Sequence, residues 1–259
     1  MKFGSCCAAL AAGTHNLRHK IEMFTVNIVA TALLIAASLI ASDTFAQERS
    51  QSAQRSSTVA APRKGQWQYI VEKRSVGIHR SNDRVVIIGD SIAGRFPSFV
   101  QEEVFGYTFI NIGVGGDRTE NLLWRLAKFD LRNSRPRAII LYIGTNNLRA
   151  KDSADDTVAG ILLTIDTIRS QVPRTTLIVS EILPMGNEFS FRPNDIAVVN
   201  AALAAAQESH EFQLLNVHNS ISEAAGYDAK PPIYADWAHL DADGYRVMSM
   251  SLKKMLQKQ

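Results

Sequence analysis

Two hydrophobic patterns alternate along most of the chain. One is a short, continuous apolar run. It occurs at Arg84-Val85-Val86-Ile87-Ile88 before Gly89, across 107–112, at Ala138-Ile139-Ile140-Leu141-Tyr142-Ile143 before Gly144, across 176–182 and across 212–217. Runs of this length, rich in Val and Ile, suit strands of a parallel sheet covered on both faces. The other pattern is helical spacing. Leu122, Leu126 and Phe129 share a face, as do Val158, Ile161, Leu162, Ile165 and Ile168. Ile196, Val199 and Leu203 mark another helix, and Tyr245, Met248, Leu252 and Met255 a last one. About five strands alternating with helices predict an α/β domain over 67–259, a three-layer, doubly wound parallel sheet with helices on both faces. A ligand crevice is then expected outside the carboxyl ends of the strands.

The N-terminal quarter departs from this pattern. Residues 24–41 (FTVNIVATALLIAASLIA) follow Arg18, His19 and Lys20 and lead to Thr44-Phe45-Ala46. A basic flank, a short apolar run and small residues at a cleavage point predict a signal peptide over 1–46, cut after Ala46. An uncleaved anchor is the competing reading, and it alone would tie the protein to a membrane. Residues 47–66 are rich in Ser, Gln and Arg and read as a flexible, basic, solvated linker. An exported protein, periplasmic or extracellular, is expected. Both cysteines, Cys6 and Cys7, lie in the leader, so no Cys-based metal site is available to the domain.

Charge sharpens the division. The whole chain is formally +3, but residues 81–259 hold 18 Lys/Arg against 21 Asp/Glu. A slightly acidic body argues against a nucleic-acid-binding face.

Candidate chemistry collects at the strand ends. Gly89-Asp90-Ser91 places a serine at a strand-to-helix turn, where it is either a nucleophile or a helix cap. Gly113-Val114-Gly115-Gly116-Asp117 offers a backbone N–H for an oxyanion, or merely a tight turn with Asp117 or Thr119 as cap. Its glycines do not have the spacing of a dinucleotide-binding loop. Gly144-Thr145-Asn146 places an amide side chain at the next strand end. Asp236-Trp237-Ala238-His239 has the spacing for a carboxylate to orient an imidazole on one turn, or for an ordinary helix start. His218 is the other histidine worth testing as a base. Glu181 reads as a structural hydrogen-bonding group.

Taken together and in this order, the Gly89-Asp90-Ser91, Gly116-Asp117, Gly144-x-Asn146 and Asp236-x-x-His239 blocks resemble the SGNH hydrolase superfamily, the GDSL-type esterases and lipases. The resemblance spans 85–252. Asn111 to Asp117 and Leu123-Trp124-Arg125-Leu126 look like the branch that includes the platelet-activating-factor acetylhydrolase catalytic subunits. The resemblance implies a flavodoxin-like α/β fold. It implies catalytic Ser91, Asp236 and His239, with an oxyanion hole from Ser91, Gly116 and Asn146. No metal or organic cofactor is required. The expected activity is hydrolysis of carboxylic esters through an acyl-serine. A short-chain, acetyl ester on a carbohydrate is the preferred substrate, because no long apolar insertion suggests a lipid lid. A lysophospholipase or lipase, an acyltransferase and a glycan-binding module on the same fold are the alternatives. Phe189, Phe191, Tyr227 and Tyr234, in the longer loops 184–193 and 219–235, are candidates to shape the site. Arg95 and Arg118 read as solvated helix residues.

Overall fold

The computed structural model describes residues 56–226 and 233–257. The leader, the first part of the linker and Tyr227 lie outside the described residues.

Five parallel strands form one sheet: β1 (Val85–Gly89), β2 (Ile110–Asn111), β3 (Ala138–Tyr142), β4 (Thr176–Ser180) and β5 (Gln213–Leu215), in the order β2-β1-β3-β4-β5. The pairing register sets Gly89 beside Tyr142 at the carboxyl edge. β1 and β3 are buried at every position, which is why their apolar runs are uninterrupted.

The edge strands are shorter than their hydrophobic runs, because hydrogen-bonding groups are diverted. Phe109 gives its N–H to the Gln101 side chain at 2.6 Å, and Val217 gives its N–H to Glu181 at 2.8 Å. Ile182 leaves β4 for the Asn200 amide, which pairs with both its N–H and its carbonyl at 2.8 and 3.0 Å.

Helices cover both faces. α1 is Trp67–Ser75, α2 Ser91–Gly94, α3 Ser98–Phe105, α4 Thr119–Phe129, α5 Thr145–Arg149, α6 Ala154–Gln171, α7 Pro193–Ala206, α8 His218–Ala225 and α9 Ala242–Leu256. Leu122 and Leu126 of α4, Ile161, Ile165 and Ile168 of α6, and Val199 and Leu203 of α7 pack on Val86, Ile88, Ile139 and Leu141. Val100 of α3, Ile221 of α8, and Tyr245, Met248 and Leu252 of α9 pack on Val85, Ile87 and Ile140. Alternate strand residues thus feed opposite layers, as the pleat requires. Capping defines the long helices: Ser153 Oγ accepts the Asp156 N–H at 3.1 Å, and Asp241 Oδ1 accepts the Asp243 and Gly244 N–H groups at 2.9 and 3.0 Å.

The linker reading needs correction from Ser57 onward. Ser57 is buried; its Oγ donates to Asp152 at 2.7 Å and its carbonyl accepts from Thr119 Oγ1 at 2.7 Å. Ala61 N donates to the Glu120 carbonyl at 3.0 Å, and Asn121 returns a bond to the Ala61 carbonyl at 3.0 Å. A side chain on Gly160 would sit 2.8 Å from the Ser57 carbonyl oxygen. The segment therefore docks through its backbone against a glycine, which requires no large apolar residue. Trp67 and Val71 continue this strap, packing on Val114 and Trp124.

Candidate active site

Ser91 owes its position to backbone that only glycine supplies. Gly89 has φ +137°, and a Cβ there would fall 1.7 Å from the Tyr142 carbonyl oxygen. β1 therefore ends hard against β3, and the chain turns into α2 with Ser91 as its first residue. Asp90 caps that turn, its Oδ1 accepting the Ile92 N–H at 2.8 Å. Gly113 closes the next loop onto α2; a Cβ would sit 2.4 Å from the Gly94 nitrogen. The first two glycine blocks are thus in backbone contact.

Asp236 and His239 reach the same edge from the loop before α9. They do not lie on a helical turn, as their spacing allowed. Tyr234 and Leu240 form an antiparallel bridge, and Ala235 N donates to the His239 carbonyl at 2.8 Å, so a tight loop presents both side chains. His239 Nδ1 lies 2.8 Å from Asp236 Oδ2, and its Nε2 lies 2.9 Å from Ser91 Oγ, across 148 residues of chain. Partial burial pulls the Asp236 carboxyl upward. Hydrogen bonds from the Ala238 N–H, the His239 ring and the His239 N–H outweigh it and hold the carboxyl below its ordinary value.

The other wall carries the expected oxyanion groups. Gly116, at φ +78°, lies on the turn between β2 and α4. Asn146 on α5 is buried; its Nδ2 donates to the Asp117 carbonyl at 3.0 Å and its Oδ1 accepts from Arg149 at 3.3 Å. These two contacts orient the amide. Gly115, Gly116, Ser91 and His239 line one crevice of about 270 Å³. A larger hollow, about 510 Å³, lies at the other end of the sheet around Ser134. The Ser134 hydroxyl is committed to the Leu131 carbonyl at 2.7 Å, so it has no role as a nucleophile.

Neither cap proposed for α4 is what the structure shows at Asp117. Its carboxylate is fully buried between Trp67 Nε1 at 2.6 Å and Arg125 Nη1 at 2.7 Å. Arg125, itself buried, also bonds the Ile112 carbonyl. Burial pushes Asp117 upward, opposed by Arg125 and Trp67, and pushes Arg125 downward, opposed by Asp117. The pair braces the Gly113–Gly116 loop from behind. Asn147 ties this wall to α4, accepting the Thr119 N–H at 3.0 Å. Asp90 is also fully buried. Desolvation raises its carboxyl to about 7, and its Oδ2 has no partner among the described residues.

The remaining candidates lie elsewhere. His218 Nδ1 bonds the Ile182 carbonyl at 3.0 Å and takes no part in the triad. Glu181 accepts the Val217 and His218 N–H groups at 2.8 Å each, a structural role at the start of α8. Tyr234 is buried with its hydroxyl on the Pro184 carbonyl, so it offers no stacking surface. α8 occupies 219–225 of the 219–235 stretch read as a loop. Phe189 packs beside Tyr234, and Phe191 beside Trp237. Arg118 pairs with Glu120 rather than standing free. Hydropathy gave no sign of what Asn147 and Arg149 bond, nor of the Trp67 bond to Asp117; the Trp67 ring packs beside Trp124, centroids 5.4 Å apart.

The model of the GDSL-like Lipase/Acylhydrolase family matches residues 87–247. The chain belongs to this family. As a GDSL hydrolase it acts on carboxylic esters. Among its relatives is platelet-activating factor acetylhydrolase IB subunit alpha2 of Rattus norvegicus, 27% identical over 179 residues, which cover 66% of this chain and 75% of the relative. The human alpha1 subunit is 26% identical over 202 residues, covering 74% and 83%. A GDSL-like lipase from Bacteroides thetaiotaomicron superposes with a TM-score of 0.58 at 20% identity, over 73% of this chain and 98% of that one. An acetylxylan esterase from Geobacillus stearothermophilus gives 0.55 at 15% identity, over 68% and 94%. At these identities the solved structures share the GDSL fold, and the chemistry rests on the family and on the site itself.

Proposed function

We propose that this GDSL hydrolase is an exported serine esterase whose preferred substrate is a short-chain, acetyl ester on a carbohydrate. The observation that carries the mechanism is the unbroken relay from Asp236 through His239 to Ser91, at 2.8 and 2.9 Å. A serine hydroxyl is a weak nucleophile at neutral pH and needs such a base. Ser91 Oγ attacks the ester carbonyl as its proton passes to His239 Nε2. Asp236 holds the Nδ1–H tautomer and stabilises the imidazolium. Charge on the tetrahedral oxygen is met by the Ser91 and Gly116 N–H groups and the Asn146 amide. His239 then returns the proton to the leaving alcohol as the C–O bond breaks. Water adds to the acyl-Ser91, its proton goes to His239 and on to Ser91 Oγ, and the carboxylic acid departs.

The crevice volume, about 270 Å³, is below the usual range of small-molecule pockets and favours a small acyl group. Export is supported by the basic and apolar pattern of residues 18–46. Among the described residues no helix is long and apolar enough to cross a membrane.

The test is hydrolysis of p-nitrophenyl esters from acetate to laurate, beside Ser91→Ala and His239→Ala. Both variants are expected to fold and to lose at least ~10³-fold in kcat. Activity is expected to fall with chain length. A folded Ser91→Ala protein with wild-type activity would remove Ser91 from the mechanism.

A further inference from the structure

We infer that the esters cleaved at Ser91 carry a negatively charged group, a carboxylate or phosphate, held by Arg74 and Arg149 at the crevice mouth. This deepens the esterase reading and rests on it. Three arginines, Arg74, Arg95 and Arg149, line the crevice beside Ser91 and His239, and among the described residues no carboxylate does. Arg63 adds a fourth cation. Its Nη1 bonds the Gly115 carbonyl at 2.8 Å, and its guanidinium lies where a Gly116 side chain would be. Two of the four, Arg95 and Arg149, belong to the net-acidic body, and the basic segment ahead of it supplies Arg63 and Arg74.

The partners separate the four. Arg63 lies 3.8 Å from Asp117, which Arg125 already neutralises, and Arg95 lies 3.7 Å from Asp236. Arg74 and Arg149 have no carboxylate within 4.0 Å among the described residues. Arg74 Nη1 donates to the neutral Asn111 Oδ1 at 3.1 Å. Arg149 donates to Asn146 Oδ1 and lies 4.8 Å from the centre of the half-exposed Trp237 ring. Arg149 also feels the buried Asp90 carboxyl without an ion pair to it; the contacts that position the two guanidiniums are neutral and leave their charge for an anion. The planar fork that remains suits the paired oxygens of a carboxylate or phosphate. Arg149 also sits three residues after the oxyanion amide it bonds, so an anion seated there is beside the reacting carbonyl. Arg63 and Arg74 precede the family match at residue 87. The N-terminal strap therefore adds recognition that the family core does not supply.

Three acetyl esters of one phenol test this, with a neutral methyl ester, a carboxylate or a phosphate at the para position. In the wild type at low salt, kcat/KM for at least one anion should exceed the neutral ester by about tenfold or more, the scale of one charge-assisted contact. The ratio should shrink with added salt. It should fall toward one in Arg74→Gln and Arg149→Gln, and hold in Arg174→Gln, an exposed arginine at the other end of the sheet. Which anion is preferred identifies its source, an acidic sugar or a phosphate-bearing alcohol. A ratio near or below one for both anions overturns the inference, and Ser91-dependent cleavage of the neutral ester would leave the esterase reading intact. An anion preference that survives in the double variant also overturns it. Should no ester be cleaved, or should Ser91→Ala stay active, the esterase reading fails first.

Discussion

At the scale of single residues, two aspartates do opposite things with their environments. Asp236 collects three donors and stays ionised, which is what an imidazolium needs beside it. Asp236→Asn should keep the loop, since its Oδ1 can still accept the Ala238 and His239 N–H groups. It should lower kcat by roughly 10³–10⁴ on p-nitrophenyl acetate, because the amide favours the wrong imidazole tautomer. Asp90, next to the nucleophile, has one donor and a second oxygen with no partner among the described residues, and burial lifts its carboxyl from 3.8 to about 7. In that interval the folded protein binds more protons than the unfolded chain, so stability is lost as pH rises through it. Asp90→Asn keeps the Ile92 cap and cannot ionise. Its Tm relative to wild type should rise from about pH 5 to about pH 8 and level off there. A difference that stays flat over the window would mean Asp90 is ionised throughout.

The elements show why some of the site was legible in the sequence and some was not. β1 and β3 are buried on both faces, and their runs Val85–Ile88 and Ala138–Tyr142 could be read directly. Ser91 and Asn146 follow glycines whose backbone geometry admits no other residue, so their blocks stand out. β2 and β5 were over-read because hydropathy is blind to where Phe109 and Val217 send their N–H groups. The strap before α1 was misread for a related reason: Ser57 and Ala61 dock by backbone bonds, and docking of that kind has no composition. Arg125 and Asp117 were hidden because a charged pair reads as surface until it is found buried. Trp67→Phe tests the strap. It keeps the ring against Trp124 and removes the bond to Asp117, and should cost about 1–3 kcal/mol in urea unfolding, the penalty of a buried acceptor left short. A kcat decrease should accompany it, since the Gly116 loop loses its brace.

For the molecule as a whole, the order β2-β1-β3-β4-β5 puts the nucleophile's strand inside the sheet and gathers every working group on one edge. The scaffold beneath is two apolar layers with a parallel sheet between them. The chemistry needs only the turns above it, which is why loops and an N-terminal strap can change what is recognised without touching the core. The relay also spans the domain lengthwise. Ser91 is on the first strand's exit, and His239 lies just ahead of the last helix, 148 residues later. A chain emerging from the ribosome therefore makes its nucleophile 148 residues before its base. Until the loop that carries His239 has docked, the serine has no proton acceptor, and a nascent chain is chemically silent towards the esters around it.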